Sequence, residues 1–361
     1  MRNGKTAKNM AKQPTVAVLY NQTGADEYAQ MREHSKPELD FSPEFRMDVA
    51  TVDEEIASLV KGLQACGFDA YAVNVEDRFD LLYGVLSGRA PDVVFNLIEF
   101  FNDEPKQEFL VAGLYELMKI PFTGAPPYTL ALCQRKASTK RILQAYGIRT
   151  PRFKLMEEGK LPRRHGLHYP LIVKPVREDA SIGIDNAAVV ADIAALQQRV
   201  EYVWTEFKQP ALVEEFIEGR ELNVSILGNA PPDILPIAEM DFSELPSHLH
   251  PIVSFEAKWD PHHEAFHKMY PKCPAELPKR VEKRVKEIAL EAYSIMGCRD
   301  YARVDMRLNK QRQVFVLEVN PNPDLTEGVA FMESAEQAGL SFSEVLGRIV
   351  TFALARKNPA D

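Results

Sequence analysis

The sequence predicts an α/β protein built as three modules in series, and three observations carry that expectation. At 361 residues the chain exceeds what one hydrophobic core usually organises. Its first third alternates short apolar runs with amphipathic stretches, the pattern of an open parallel sheet covered on both faces. From Pro126 onward the texture changes to strand-like runs separated by single helical patterns.

Each element follows from its own residues. Residues 15–20 (TVAVLY) form an apolar run suited to a buried strand. The polar stretch 21–46 is longer than most loops in compact domains, and so reads as functional or mobile. Val52, Ile56, Leu59, Val60 and Leu63 recur at helical spacing, and Gly67 sits where that helix would stop. Strands over 70–75 and 92–98 and a helix over 108–118 complete an N-terminal α/β domain expected to span 15–125, preceded by a disordered tail, 1–14. Helical patterns at 129–133 and 138–145, strands at 171–175 and 187–190, and a helix through Trp204 make a central module, 126–210. The C-terminal module, 211–361, has strands at 211–217, 221–227 and 234–240 and a long helix at 279–296. A strand pair, 301–308 and 314–320, and closing helices at 330–339 and 343–355 complete it.

Composition narrows the function classes. With 45% apolar and 26% charged residues the chain is ordinary for a folded protein, which excludes disordered, collagen-like and coiled-coil classes. A net charge of −9 lacks the basic excess of a sequence-blind nucleic-acid binder. No run approaches the roughly 18 to 20 apolar residues that span a bilayer, and the N-terminus has no apolar signal core. Cys66, Cys133, Cys273 and Cys298 lack paired spacing, so neither a zinc site nor a disulfide framework is indicated. The expected location is cytoplasmic, with no nucleic-acid or membrane partner. No Walker loop and no G-x-G-x-x-G string occurs.

The strongest chemical signal is the pair YARVDMRL (301–308) and VFVLEVN (314–320). Strand alternation puts Arg303, Asp305 and Arg307 on one face, with Glu318 and Asn320 opposite Phe315, Leu317 and Val319. A hairpin with Leu308 facing Phe315 sets Asp305 against Glu318 and Arg303 against Asn320. Facing carboxylates repel, and a hard cation such as Mg²⁺ relieves that repulsion, the Asn320 amide adding a third oxygen. Arg303 beside them suits charge on a transferring phosphoryl group. The plainer alternative is an Arg303–Asp305 ion pair on a charged strand face.

Two further segments suit a nucleotide. Lys174 ends an apolar strand, and the loop after it, with Ser181 and Gly183, can bring backbone N–H groups to phosphate oxygens; alone it also reads as a surface loop. Glu214-Glu-Phe-Ile217 ends another strand, where backbone groups suit an adenine, Phe216 and Ile217 give apolar walls and Glu221 suits ribose hydroxyls.

In this order, with Lys136 before and Lys258 between, these motifs resemble the ATP-grasp fold. More closely they resemble the D-alanine–D-alanine ligase group, through PFTG (121–124), IVKP (172–175), FEAK (255–258), CPA (273–275), RVD (303–305) and LEVN (317–320). The resemblance covers roughly residues 90–350. It implies an α/β, three-domain ATP-grasp architecture whose central and C-terminal α+β domains clamp ATP. It implies an ATP-dependent carboxylate–amine ligase working through an acyl phosphate and releasing ADP and phosphate. Lys136, Lys174 and Lys258 would hold the phosphates, with Ser181 and Gly183 in the loop. Glu214, Phe216 and Ile217 would meet adenine and Glu221 ribose, while Asp305, Glu318 and Asn320 would carry two Mg²⁺ ions, for which Mn²⁺ can substitute. Arg303, Lys258 and Ser181 would be catalytic. A homodimer through the first domain is also implied.

Substrate landmarks depart from the group's pattern. Residues 48–51 lack its Glu-Val-Ser, Asn96-Leu-Ile-Glu-Phe-Phe101 replaces its His-Gly, and Trp259 replaces a tyrosine. The terminal segment reads Asn320-Pro-Asn-Pro-Asp-Leu325, which puts Asp324 where glycine is usual. An anion there favours a cationic or amine-bearing acceptor, the plainer alternative being a side chain that faces solvent. Glu99 belongs to an acidic run with Asp103, Glu104 and Glu108 that reads as a solvated face, the alternative for Glu99, near the missing histidine, being a second amine contact; His262, His263 and His267 fall in the expected flap. The readings are therefore a ligase for another carboxylate–amine pair, a genuine D-alanine–D-alanine ligase of peptidoglycan precursor synthesis, or a nucleotide-binding regulatory protein without turnover.

Overall fold

The computed structural model describes residues 13–24, 26, 41, 49–88, 90–159 and 164–356. The expected tail and most of the 21–46 segment lie outside the described residues. Strands β1 (Thr15–Tyr20), β2 (Asp69–Asn74) and β3 (Val93–Leu97) form a parallel sheet in the order β2-β1-β3. Alternation along β1 splits its side chains between two cores. Ala17 and Leu19 pack with α2 (Phe79–Ser87) and α3 (Glu108–Leu117). Val16 and Val18 pack with α1 (Val52–Ala65) and with the C-terminal helices α10 (Ala330–Gln337) and α11 (Phe342–Ala355). Helix α1 starts at a capping box between Thr51 and Glu54, with Asp53, Glu54 and Glu55 in its first turn facing the positive helix end.

Helices α4 (Pro127–Cys133) and α5 (Lys136–Ala145) lead to β4 (Phe153–Met156). The central sheet is antiparallel, ordered β4-β7-β5-β6, with β5 at Leu171–Pro175, β6 at Val189–Val190 and β7 at Ala211–Glu215. Helix α6 (Ile193–Phe207), capped by Asp192, lays Leu196, Val200 and Val203 over Met156, Leu171, Val173 and Val213.

The C-terminal sheet is also antiparallel, ordered β11-β10-β8-β12-β13, with β9 (Asp233–Ile234) paired to β8 (Gly219–Leu227). Its other strands are β10 (Ala238–Asp241), β11 (Tyr270–Lys272), β12 (Tyr301–Asn309) and β13 (Val314–Asn320). Helix α9 (Lys279–Ile295) covers one face, burying Val285, Ile288, Ala289 and Ala292 against Val224, Val304 and Met306. The opposite face is left for polar side chains. Among the described residues no single helix is long and apolar enough to cross a membrane.

Several expectations need correction. The boundary at 210/211 cuts the central sheet, because β7 pairs with β4 and β5 there. Cys133, Leu143 and Ile148, assigned to the central module, enter the C-terminal core, and the last two helices pack on the N-terminal sheet. Local periodicity fixes a helix's buried face but says nothing about which sheet it meets. The strand expected over 234–240 is broken around Pro236, which cannot donate to a ladder. Helix α2, with Leu82 and Leu86 buried one turn apart, was not anticipated, nor were β4, β11 and the short helices α7 (Phe255–Trp259) and α8 (Glu264–His267).

Candidate active site

The polar face of the C-terminal sheet builds the site. β12 and β13 set Asp305 opposite Glu318 and Arg303 opposite Asn320, as the sequence suggests. The route differs from the expected one. Leu308 faces Val314 and Arg307 faces Phe315, and a bulge at Leu317 restores the Asp305–Glu318 pairing. The core face of β13 is therefore Val314, Val316 and Val319, and Phe315 and Leu317 are not on it.

Asp305 is 6% exposed and fully engaged. Arg303 donates to both its oxygens, at 2.7 and 2.9 Å, and the Asn223 and Asn320 amides each donate at 2.7 Å. Burial opposes the charge on Arg303, but Asp305 outweighs it and holds the guanidinium above its ordinary value. Burial likewise opposes the Glu318 carboxylate, yet Lys136, Lys174, Arg303 and Lys258 hold its pKa down at about 2. Among the described residues no group of three or more His, Cys, Asp or Glu side chains is disposed to hold a metal ion. The Asp305, Glu318 and Asn320 set is two carboxylates and an amide, an all-oxygen donor set that fits a hard divalent cation.

The lysines lie along one wall. Lys136, at the start of α5, pairs with Asp179, donates to the Glu178 carbonyl at 2.7 Å and lies 3.6 Å from Glu318. Burial works against its charge, but Asp179 and Glu318 outweigh burial and raise its pKa. Lys174 pairs with Glu214 at 3.1 Å, and Lys140, which the sequence reading missed, pairs with the other Glu214 oxygen at 2.7 Å. Glu214 is 0% exposed, so its side chain is committed to lysines and is not presented to a base. Glu221 pairs with Arg307 at 2.7 Å, and Arg307 is gripped between the Phe216 and Phe242 rings.

The loop after Lys174 closes with Ala180, Ser181 and Gly183 all at positive φ. At Gly183 a Cβ would stand 2.6 Å from Pro175 and 2.8 Å from Phe207, so only glycine fits. The Ser181 hydroxyl donates to the Val253 carbonyl at 2.8 Å, joining the loop to the segment before α7. From α7, Trp259 donates to the Ala180 carbonyl at 2.9 Å, and Lys258 lies over the indole ring. Loop and flap thus close on each other. The expected flap histidines do other work: His263 caps α8 through Nδ1, and buried His267 bonds the Pro261 carbonyl.

Four carboxylates from separate segments, Glu55, Glu99, Glu108 and Asp324, lie within reach of one another's charge. Burial, then Asp324, raises Glu99 to about 7 although solvent reaches it, and Lys258 pulls it back. Burial, then Asp324, raises Glu55 of α1 to about 7. Burial, then Glu99, pushes Glu108 well up. The segment carrying Asp324 is fixed by Asn322, whose Oδ1 accepts from the Ala125 N–H at 2.9 Å; a Cβ on Gly124 would stand 2.4 Å from that oxygen.

With this geometry in hand, comparison with known proteins decides the family. Residues 142–351 match the sequence profile described as D-ala D-ala ligase C-terminus. The chain belongs to the D-alanine–D-alanine ligase family. It is an ATP-grasp ligase of the carbon–nitrogen bond-forming class. An uncharacterized protein, y4sG, of Sinorhizobium fredii is 34% identical over 306 residues, 83% of this chain and 87% of that one. The D-alanine–D-alanine ligase of Pelotomaculum thermopropionicum is 31% identical over 302 residues, 80% and 84% of the two chains. A D-alanine–D-alanine ligase structure from Bacillus anthracis, complexed with ATP, shares the fold at TM-score 0.70 and 20% identity, covering 95% and 98%.

Proposed function

We propose that this ligase joins a carboxylate to an amine-bearing, cationic acceptor, using ATP and Mg²⁺. Lys136, Lys174 and Lys258 meet the ATP phosphates, and the Ser181–Gly183 loop offers backbone N–H groups to them. The base rests on Phe216 and Ile217 and bonds the backbone after Glu214, while Arg307 holds Glu221 for the ribose. Asp305, Glu318 and Asn320 would hold Mg²⁺, which when bound would supply positive charge to the phosphates.

The donor carboxylate oxygen attacks the γ-phosphorus, forming an O–P bond as the bond to ADP breaks. The neutral acceptor amine then attacks the acyl carbon, phosphate leaves with the C–O electron pair, and the amine proton is lost to water or phosphate. Arg303, held beside Asp305 by two hydrogen bonds, would stabilise the developing oxyanion. Most of the acceleration comes from positioning and charge neutralisation.

The observation that carries the nucleotide part is the opposition of Asp305 and Glu318 beside Asn320 and Arg303, with Lys136, Lys174 and Lys258 acting together on Glu318. The acceptor part rests on Asp324 with Glu99 and Glu55 within reach of it and Glu108 within reach of Glu99. Carboxylates held this close favour an added positive charge over another carboxylate. The test is phosphate release from ATP and Mg²⁺ with a fixed carboxylate donor panel and acceptors of graded charge, the products being read by mass. Cationic amines should give the highest kcat/KM. Release with D-alanine alone, yielding D-alanyl-D-alanine, would instead favour the activity named for the Pelotomaculum relative.

A further inference from the structure

One buried cation in the cleft has no place in the mechanism above. Lys140, one helical turn after Lys136 on α5, is 2% exposed. Its Nζ sits between two groups from different sheets. It pairs with Glu214 at the end of β7 at 2.7 Å, and it donates to the Leu317 carbonyl of β13 at 2.7 Å. Leu317 is the bulged residue, next in sequence to Glu318. A bulge leaves the extra residue outside the ladder, so its carbonyl needs another donor. Lys140 supplies it. The same ammonium, with Lys174, offsets the charge of Glu214, which has no exposed surface.

We infer that Lys140 is a positioning residue that ties the nucleotide-binding strand end of β7 to the bulge presenting Glu318, so that nucleotide and divalent cation bind cooperatively. The inference rests on the ATP and Mg²⁺ reading above and extends it to a residue outside the expected ligand set. Its logic is geometric. One ammonium fixes the spacing between Glu214, which precedes the base-binding backbone, and Leu317, which sets the direction of the metal-facing carboxylate. Removing it frees each side to move without the other. Coupling between two ligands is a free energy shared by both sites, and its loss is read as a lost enhancement.

The experiment measures ATP affinity of the full chain by calorimetry, with and without Mg²⁺, and the variants are Lys140→Met, Glu214→Gln and the double variant. In the wild type Mg²⁺ should tighten ATP binding, and Lys140→Met should lose about fivefold or more of that enhancement. Glu214→Gln should weaken ATP while keeping most of the enhancement. The double variant removes the stranded carboxylate, so it tests the Leu317 contact even if Lys140→Met alone fails to fold. It should show less enhancement than Glu214→Gln, and Lys140→Arg should recover part of the loss. Enhancement within about twofold of wild type in Lys140→Met, or equal in the double variant and Glu214→Gln, overturns the inference alone. A wild-type protein that binds no ATP overturns the ligase reading and takes this inference with it.

Discussion

The two walls of the cleft handle charge in opposite ways. Along the wall of α5, β7 and β13, buried charges meet their opposites inside the chain: Lys140 and Lys174 share Glu214, Lys136 lies against Asp179 and Glu318, and Arg303 grips Asp305. In the second group, Glu55 and Glu99 feel Asp324 and Glu108 feels Glu99, with Lys258 drawing Glu99 back and Arg303 and Lys258 within reach of Asp324. The first wall carries the motifs shared with the family. The second carries Glu99 and Asp324, which the sequence sets apart from the group's motifs, together with Glu55 and Glu108, which it does not. On the proposed reading, the internally balanced group receives the nucleotide and the carboxylate-rich group leaves part of its charge to be met by the substrate.

The largest effect should come from breaking the balanced wall. Asp305→Asn or Glu318→Gln should each cut turnover by at least about 100-fold, measured as phosphate release, with the circular dichroism spectrum unchanged. Survival of turnover in either variant would remove the metal assignment. Next, Asp324→Gly should raise KM for a cationic acceptor about tenfold or more, with little change in KM for ATP. An equal rise for ATP would place Asp324 on the other wall.

A pH series sharpens the contrast. Free Glu99 has its carboxyl raised to about 7, so a cation that prefers the ionised form should bind more tightly as pH rises through 7. Acceptor KM should therefore fall from pH 6 to pH 8, and Glu99→Gln should flatten the profile. The smallest effect concerns stability. Where the unfolded carboxyl has lost its proton and the folded one keeps it, stability falls as pH rises. For Glu99 that window runs from 4.5 to about 7. Glu99→Gln should accordingly raise Tm at pH 8 and leave it unchanged at pH 4.5, a scan that needs no substrate.

The two walls also differ in how far sequence reveals them. Arg303, Asp305, Glu318 and Asn320 lie on two strands adjacent in sequence, where period-two alternation is enough to put them on one face. Even there the Leu317 bulge shifted the register by one residue, which no pattern in 314–320 announces. Lys140 was illegible because a lysine on an amphipathic helix reads as solvated; only the meeting of β7 and β13 makes that position a junction. Glu55, Glu99, Glu108 and Asp324 come from four separate segments, so spacing carries no trace of their cluster. Of these, Glu99 and Asp324 were flagged by departure from family motifs, and Glu55 and Glu108 were not.

The most direct test is a competition for turnover between acceptors that differ in charge. With ATP, Mg²⁺ and one productive carboxylate donor, kcat/KM is compared for D-alanine and for an amine carrying a second positive charge, in wild type and in Asp324→Gly. The account predicts at least about a tenfold preference for the dication in the wild type, lost or reversed in the variant. A wild-type preference for D-alanine, unmoved by the substitution, would contradict it.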